Sequence, residues 1–213
     1  MAVFQGTVGI KSPFKSLPDG SPYDFRLGNM QDLIVQELHG RYYEETYRKN
    51  VYSGFVTGVT TTLGTAVTYT GLCLSNPVGS TVNLVLLKVG YGFTIVWPAV
   101  AAVGLMCGYN AAANVTQSVP ITPQNCFVGP AISGQGKLTS GSASSGLGAT
   151  PIVTHIFGAG MTGAATVAPF DGALIDMEGS VILTAGAYCA IYTSAVSPTN
   201  GAHFSFTWAE VPV

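Results

Sequence analysis

The chain has 213 residues, of which 47 % are apolar and only 8 % charged, and its net charge is −2. That length holds one all-β domain or two small ones, with a core able to bury roughly 70 % of the unfolded surface. No basic excess exists to draw the chain to phosphate backbones, so nucleic acid is not an expected partner.

Charge is also spread unevenly. Twelve of the eighteen charged residues precede Asn50, and the rest of the chain carries only Lys88, Lys137, Asp171, Asp176, Glu178 and Glu210. A body so poor in charge suits contact with other protein better than solvation, so self-association as a homotrimer or dimer is expected. The start, MAVFQGTVGIKSPFKS, lacks a basic region followed by an apolar run, and synthesis in a cytoplasm is expected. The four cysteines, Cys73, Cys107, Cys126 and Cys189, include no CxxC pair and read as reduced, buried small hydrophobes.

In chain order, residues 1–28 mix Pro and Gly without a period and read as an extended arm. Asn29 offers a cap for a helix over about 30–48, with apolar or aromatic residues at Leu33, Ile34, Leu38 and Tyr42. Glu37 with Arg41, Glu44 with Arg48 and Glu45 with Lys49 stand at i, i+4 in the favourable order, worth ~0.2–0.5 kcal/mol each. Together they are too weak to hold a solitary helix that contains Gly40, so the helix needs a partner surface. Arg41, Tyr42, Tyr43, Tyr47, Arg48 and Lys49 would form it, the tyrosines giving apolar area and the cations giving bonds to carboxylates on another protein.

From Val51 the pattern changes to short β-rich segments, at 55–60, 65–75, 81–93, 95–107, 112–119, 126–132, 151–157, 173–176, 180–184, 187–194 and 202–211. They predict an all-β, antiparallel, jelly-roll-like sandwich over 51–213, preceded by an arm and helix over 1–50. In TVNLVLLKVGYGF one face carries Val82, Leu84 and Leu86 and the other Val85, Leu87 and Val89, which predicts a central strand covered on both sides. Ten Gly or Ser in residues 133–150 predict a long exposed loop. The run 93–107 is apolar but short of the ~20 residues of a spanning helix, so no membrane association is expected.

Catalytic motifs fail one by one. ISGQGKL lacks both the first glycine and the Ser or Thr of a phosphate loop, no GxSxG frames a serine, and SPFK lies in the arm. His39, His155 and His203 lack the spacing of paired metal ligands. Asp176 and Glu178, on one face of a strand, would stand about 7 Å apart and could hold a hard cation or act as an acid–base pair, or simply face solvent. Neither enzyme activity, metal nor cofactor is expected.

The helix LIVQELHGRYYEETYRKNVYSG, the block TYTGLCLSNPVGSTVNLVLLKVGYGF and the C-terminal ALIDMEGSVILTAGAYCAIYTS with FSFTWAEVP resemble structural proteins of tailed bacteriophages. The resemblance implies a virion component made in the bacterial cytoplasm: a jelly-roll cement or capsid decoration protein on the capsid exterior, clamping subunits of the major capsid protein. It carries over no catalytic residues. The other expectation it leaves open is a receptor- or glycan-binding module of a tail fibre, with Trp97, Tyr109 or the 133–150 loop as its site.

Overall fold

The computed structural model describes residues 40–61, 68–97, 99–130, 132–141, 147, 149–160, 171–197 and 199–213. The chain divides between Tyr43 and Glu44, and the fold below is that of the second unit. It is mostly strand: two antiparallel sheets pack as a sandwich, accompanied by one short helix.

The first sheet has β1 (Val51–Val59), β3 (Val82–Phe93), β9 (Asp171–Leu183), β11 (Ala202–Pro212) and the short β6 (Gln124–Asn125), in the order β6-β1-β11-β3-β9. The second has β2 (Cys73–Ser75), β4 (Ala101–Tyr109), β5 (Val119–Ile121), β7 (Lys137–Ser140), β8 (Ile152–Gly160) and β10 (Ala187–Thr193), ordered β5-β7-β2-β10-β4-β8.

Register explains the core. Tyr52, Trp208, Leu86 and Val181 make one transverse row of the five-stranded sheet, and Gly54, Phe206, Val89 and Ile175 the next but one. These rows face Leu74, Leu105, Leu138, Cys189 and Ile191 from the other sheet in one buried cluster. Gly54 is glycine because a Cβ there would collide with the Leu138 side chain across the interface.

The strand β3 lies inside its sheet as its composition predicts, but its two faces differ from the prediction. Leu87 has no register partner on β11 or β9, and this bulge turns Val89 into the core behind Val82, Leu84 and Leu86. Val85 is left half-buried on the outer face, which no described element covers as a layer.

Other boundaries moved for local reasons. The two predicted segments at 173–176 and 180–184 are one strand, β9, interrupted by a bulge where Glu178 and Gly179 take φ of 51° and 76°. Residues 95–97 are not the start of a strand: Trp97 makes only an isolated bridge and packs against Phe93, ring centroids 4.8 Å apart, and β4 begins at Ala101. Of 112–119 only Val119 pairs, as the start of β5, and the described residues of 126–132 form no strand, β6 ending at Asn125; of 65–75 the strand holds Cys73–Ser75, and residues 65–67 and 131 lie outside those described.

Among its described residues, the stretch 133–150 is not a long exposed loop; residues 142–146 and 148 lie outside those described. Its residues 137–140 form β7 between β5 and β2, with Leu138 1 % exposed. Glu210, itself buried, anchors the approach to β7 by accepting from Gln135 N at 2.9 Å and Gly136 N at 2.8 Å.

The six-stranded sheet is covered over part of its outer face too. Tyr69, Cys73, Met106, Leu147, Tyr188 and Ala190 form a second buried cluster there. Gln117 staples the covering segment, donating to the carbonyls of Tyr69 and Gly71 and accepting from Thr139 Oγ1 at 2.9 Å. Asn76 clasps the strand ends, its Nδ2 donating to Val82 O at 2.7 Å and Leu183 O at 3.0 Å.

Candidate protein interface

The helix predicted over 30–48 is, among the described residues, the five-residue α1 (Tyr43–Tyr47); its part over 30–39 lies outside those residues. A turn at Arg41 and Tyr42 precedes it, and Lys49 ends it with a left-handed φ of 67°. Arg41, Tyr43, Tyr47, Arg48 and Lys49 are exposed, and Tyr42 is half-buried.

The charges of this segment are partly redirected. Glu45 Oε2 accepts from Asn50 Nδ2 at 3.1 Å, while the Lys49 ammonium stands 5.5 Å from the centre of the Phe127 ring. Tyr47 meets the same ring edge-on, with centroids 6.1 Å apart. Asn125 Nδ2 fixes the turn by donating to Lys49 O at 2.6 Å, and Glu210 N donates to Asn50 O at 2.9 Å. The segment after Tyr43 therefore runs directly into β1 and is held by the β body.

Phe127 also lines a groove of about 710 Å³ with Ile121, Gln124, Ile132, Lys137 and Leu138. The groove lies beside β5, β6 and β7, and Val128 on its rim is 94 % exposed. Tyr47, Lys49, Phe127 and Val128 thus make one continuous surface of aromatic, cationic and aliphatic groups.

A second surface is the outer face of the five-stranded sheet. Phe55, Ser205, Gly90 and Leu174 form one row, and Ser53, Thr207, Lys88 and Asp176 the next. Leu174 leans over Gly90, where an added Cβ would lie 3.5 Å from its Cδ1. Phe55 is 66 % exposed, Leu174 64 % and Ile182 56 %. Lys88 and Asp176 stand directly opposite each other in a surface otherwise of apolar and small groups.

These outer-face residues were not picked from sequence. Alternation in VYSGFVTG places Phe55 with Ser53 and Thr57, an aromatic on a polar face, and that was the available signal. Leu174 was hidden because its neighbours Ala173 and Ile175 are also apolar.

The residues weighed for other chemistry are placed differently from expectation. Trp97 is 3 % exposed within the core and offers no stacking surface, whereas Tyr109 is 60 % exposed at the end of β4. Asp176 and Glu178 are not alternate positions of a regular strand: Glu178 N donates to Asp176 Oδ1 at 3.0 Å inside the β9 bulge. His155 Nδ1 lies 3.1 Å from Thr154 Oγ1 and His203 Nε2 3.0 Å from Thr94 Oγ1, while His39 is outside the described residues. Burial pushes up the thiols of Cys73, Cys107, Cys126 and Cys189, most strongly those of the fully buried Cys73 and Cys189.

Among the described residues, no three His, Cys, Asp or Glu side chains come together as a metal centre requires, and no helix is long and apolar enough to cross a membrane. No protein-family model, curated protein or solved structure matches the chain.

Proposed function

We propose that the protein is a non-enzymatic structural component of a bacteriophage virion, a cement or decoration protein that binds the major capsid protein. The observation that carries this reading is the unequal treatment of the two sheets. The six-stranded sheet covers the middle of its outer face with its own loops and leaves Ile156 exposed towards its β8 edge, whereas the five-stranded sheet leaves Phe55, Leu174 and Ile182 exposed on a surface almost without charge and with no such cover among the described residues. Such a face supports an interface role, because solvent-exposed apolar area of this kind marks a protein contact.

Two contacts divide the work in this proposal. The outer face serves self-association into a closed trimer or dimer, and Tyr47, Arg48 and Lys49, with Phe127 beside them, dock on the capsid. Tyr and Arg are the side chains that most often anchor protein interfaces, and Tyr47 is exposed.

The docking proposal is tested by adding the full chain to capsids stripped of accessory proteins and imaging occupancy. Uniform copies over the head are the expected result, with occupancy reduced at least tenfold by Tyr47→Ala combined with Lys49→Glu, equivalent to about 1.4 kcal/mol or more. Binding confined to the tail would overturn it and favour the receptor- or glycan-binding reading, for which the groove at Phe127 is the available site.

Self-association has a separate test. A Phe55→Lys, Leu174→Lys chain is expected to sediment as a monomer at micromolar concentration while its far-ultraviolet circular dichroism stays that of the wild type, since both side chains are exposed on the single chain. An unchanged oligomer would move the interface elsewhere.

A further inference from the structure

Cys107 on β4 and Cys189 on β10 are direct register partners in an antiparallel pair. Backbone bonds from Asn110 N to Gly186 O and from Ser194 N to Ala102 O set the phase of this ladder. Hydrogen-bonded pairs therefore fall at 110 with 186, 108 with 188 and 106 with 190, which leaves Cys107 and Cys189 as a non-hydrogen-bonded pair. In such pairs the Cα atoms stand about 4.5 Å apart with the side chains close, inside the ~4.4–6.8 Å range that a disulfide spans.

Both thiols also point to the same side. Cys189 is a fully buried member of the inter-sheet core, and Cys107 packs half-buried against it. Cys107 Sγ is 3.6 Å from Thr154 Oγ1 on β8, the neighbour on the other side of β4. Turning its χ1 by one rotamer moves the sulfur from β8 towards β10. The other cysteines have no such relation: Cys73 is opposite Ala190 and packs in the second cluster, and Cys126 follows β6 in the other sheet.

We infer that Cys107 and Cys189 form a reversible cross-strand disulfide when the protein meets a small-molecule disulfide such as oxidised glutathione. The half-buried Cys107 thiol gives its proton to solvent, and the thiolate attacks one sulfur of the small disulfide, forming a mixed disulfide and expelling a thiolate that takes a proton back from solvent. Cys189 then attacks the Cys107 sulfur, expelling the second thiol, which takes the Cys189 proton. Two electrons pass to the small disulfide, which becomes two thiols, and the protein dithiol becomes one S–S bond. Burial pushes up the Cys107 thiol, so the reaction accelerates as pH rises and its thiolate fraction grows.

The test uses the full chain under native conditions with oxidised glutathione, followed by removal of the glutathione, unfolding in denaturant with excess alkylating agent to label the remaining thiols, proteolysis and mass mapping. The expected product is a peptide joining Cys107 to Cys189, reversed by dithiothreitol, with Cys73 still alkylatable. The Cys189→Ala chain should stop at the glutathione adduct on Cys107. Repeating the oxidation in denaturant should scatter the product over the six pairings that four cysteines allow. Native oxidation that yields only adducts, or links that match the denatured distribution, would overturn the inference.

Discussion

A Trp208→Ala chain is expected to lose roughly 3–5 kcal/mol of stability, the range for truncating a buried aromatic. Trp208 is the largest of the side chains with no exposed surface and sits in the row Tyr52, Trp208, Leu86, Val181. Its ring stacks on Tyr52, with centroids 6.1 Å apart and planes 23° from parallel. Gly136 packs so tightly against it that an added Cβ would lie 2.9 Å from the indole nitrogen. Removing the indole therefore opens a cavity between the two sheets that β-sheet backbone on either side cannot close by moving. Because whole domains hold only about 5–15 kcal/mol, the loss is a large share of the total, and urea unfolding should show a much lower midpoint. Trp208→Phe should recover part of it, and a wild-type midpoint for the alanine chain would contradict this packing.

Glu210→Ala is expected to cost about 2–4 kcal/mol through a different mechanism. The carboxylate is buried and accepts two backbone N–H groups, from Gln135 and Gly136, each worth about 1–3 kcal/mol when the acceptor is charged or the donor is left unsatisfied. Gly134 is also shaped to it, since a Cβ there would collide with Glu210 Oε1. Its loss should free the approach to β7, so hydrogen exchange at residues 135–140 should speed up more than exchange in β3 or β11. Equal acceleration across both sheets would show a global effect instead of a local one. Glu210→Gln should fall between, because one amide oxygen can accept but the amide NH2 then faces donors. Trp208 Nε1 lies 3.4 Å from Glu210 Oε1, so the two substitutions share neighbours and their costs should not add.

The sandwich was legible because much of its core obeys a period of two. Val82, Leu84 and Leu86 on β3, and Phe204, Phe206 and Trp208 on β11, read directly as one buried face. What escaped was decided by contacts distant in sequence. Lys137–Ser140 looks like flexible chain among its Gly and Ser neighbours, and becomes a strand because Leu138 fills the space above Gly54 and Glu210 captures the preceding turn. The bulge at Leu87, which decides that Val89 is buried, leaves no mark in an uninterrupted apolar run. At the candidate interface, the cluster of Tyr, Arg and Lys was visible by composition. Its neighbour Phe127, 78 residues after Lys49 in sequence, could be joined to it only by the fold.

The strand edges show how this chain resists one route to disorderly association. β5 has three residues including Pro120, β6 has two, β8 shifts register twice against β4, and β9 carries the bulge at Glu178 and Gly179. A chain with so few charges cannot rely on electrostatic repulsion to keep its copies apart; geometry at its rims does that work. Its colloidal behaviour should accordingly respond little to ionic strength, since screening removes only a force that it barely uses.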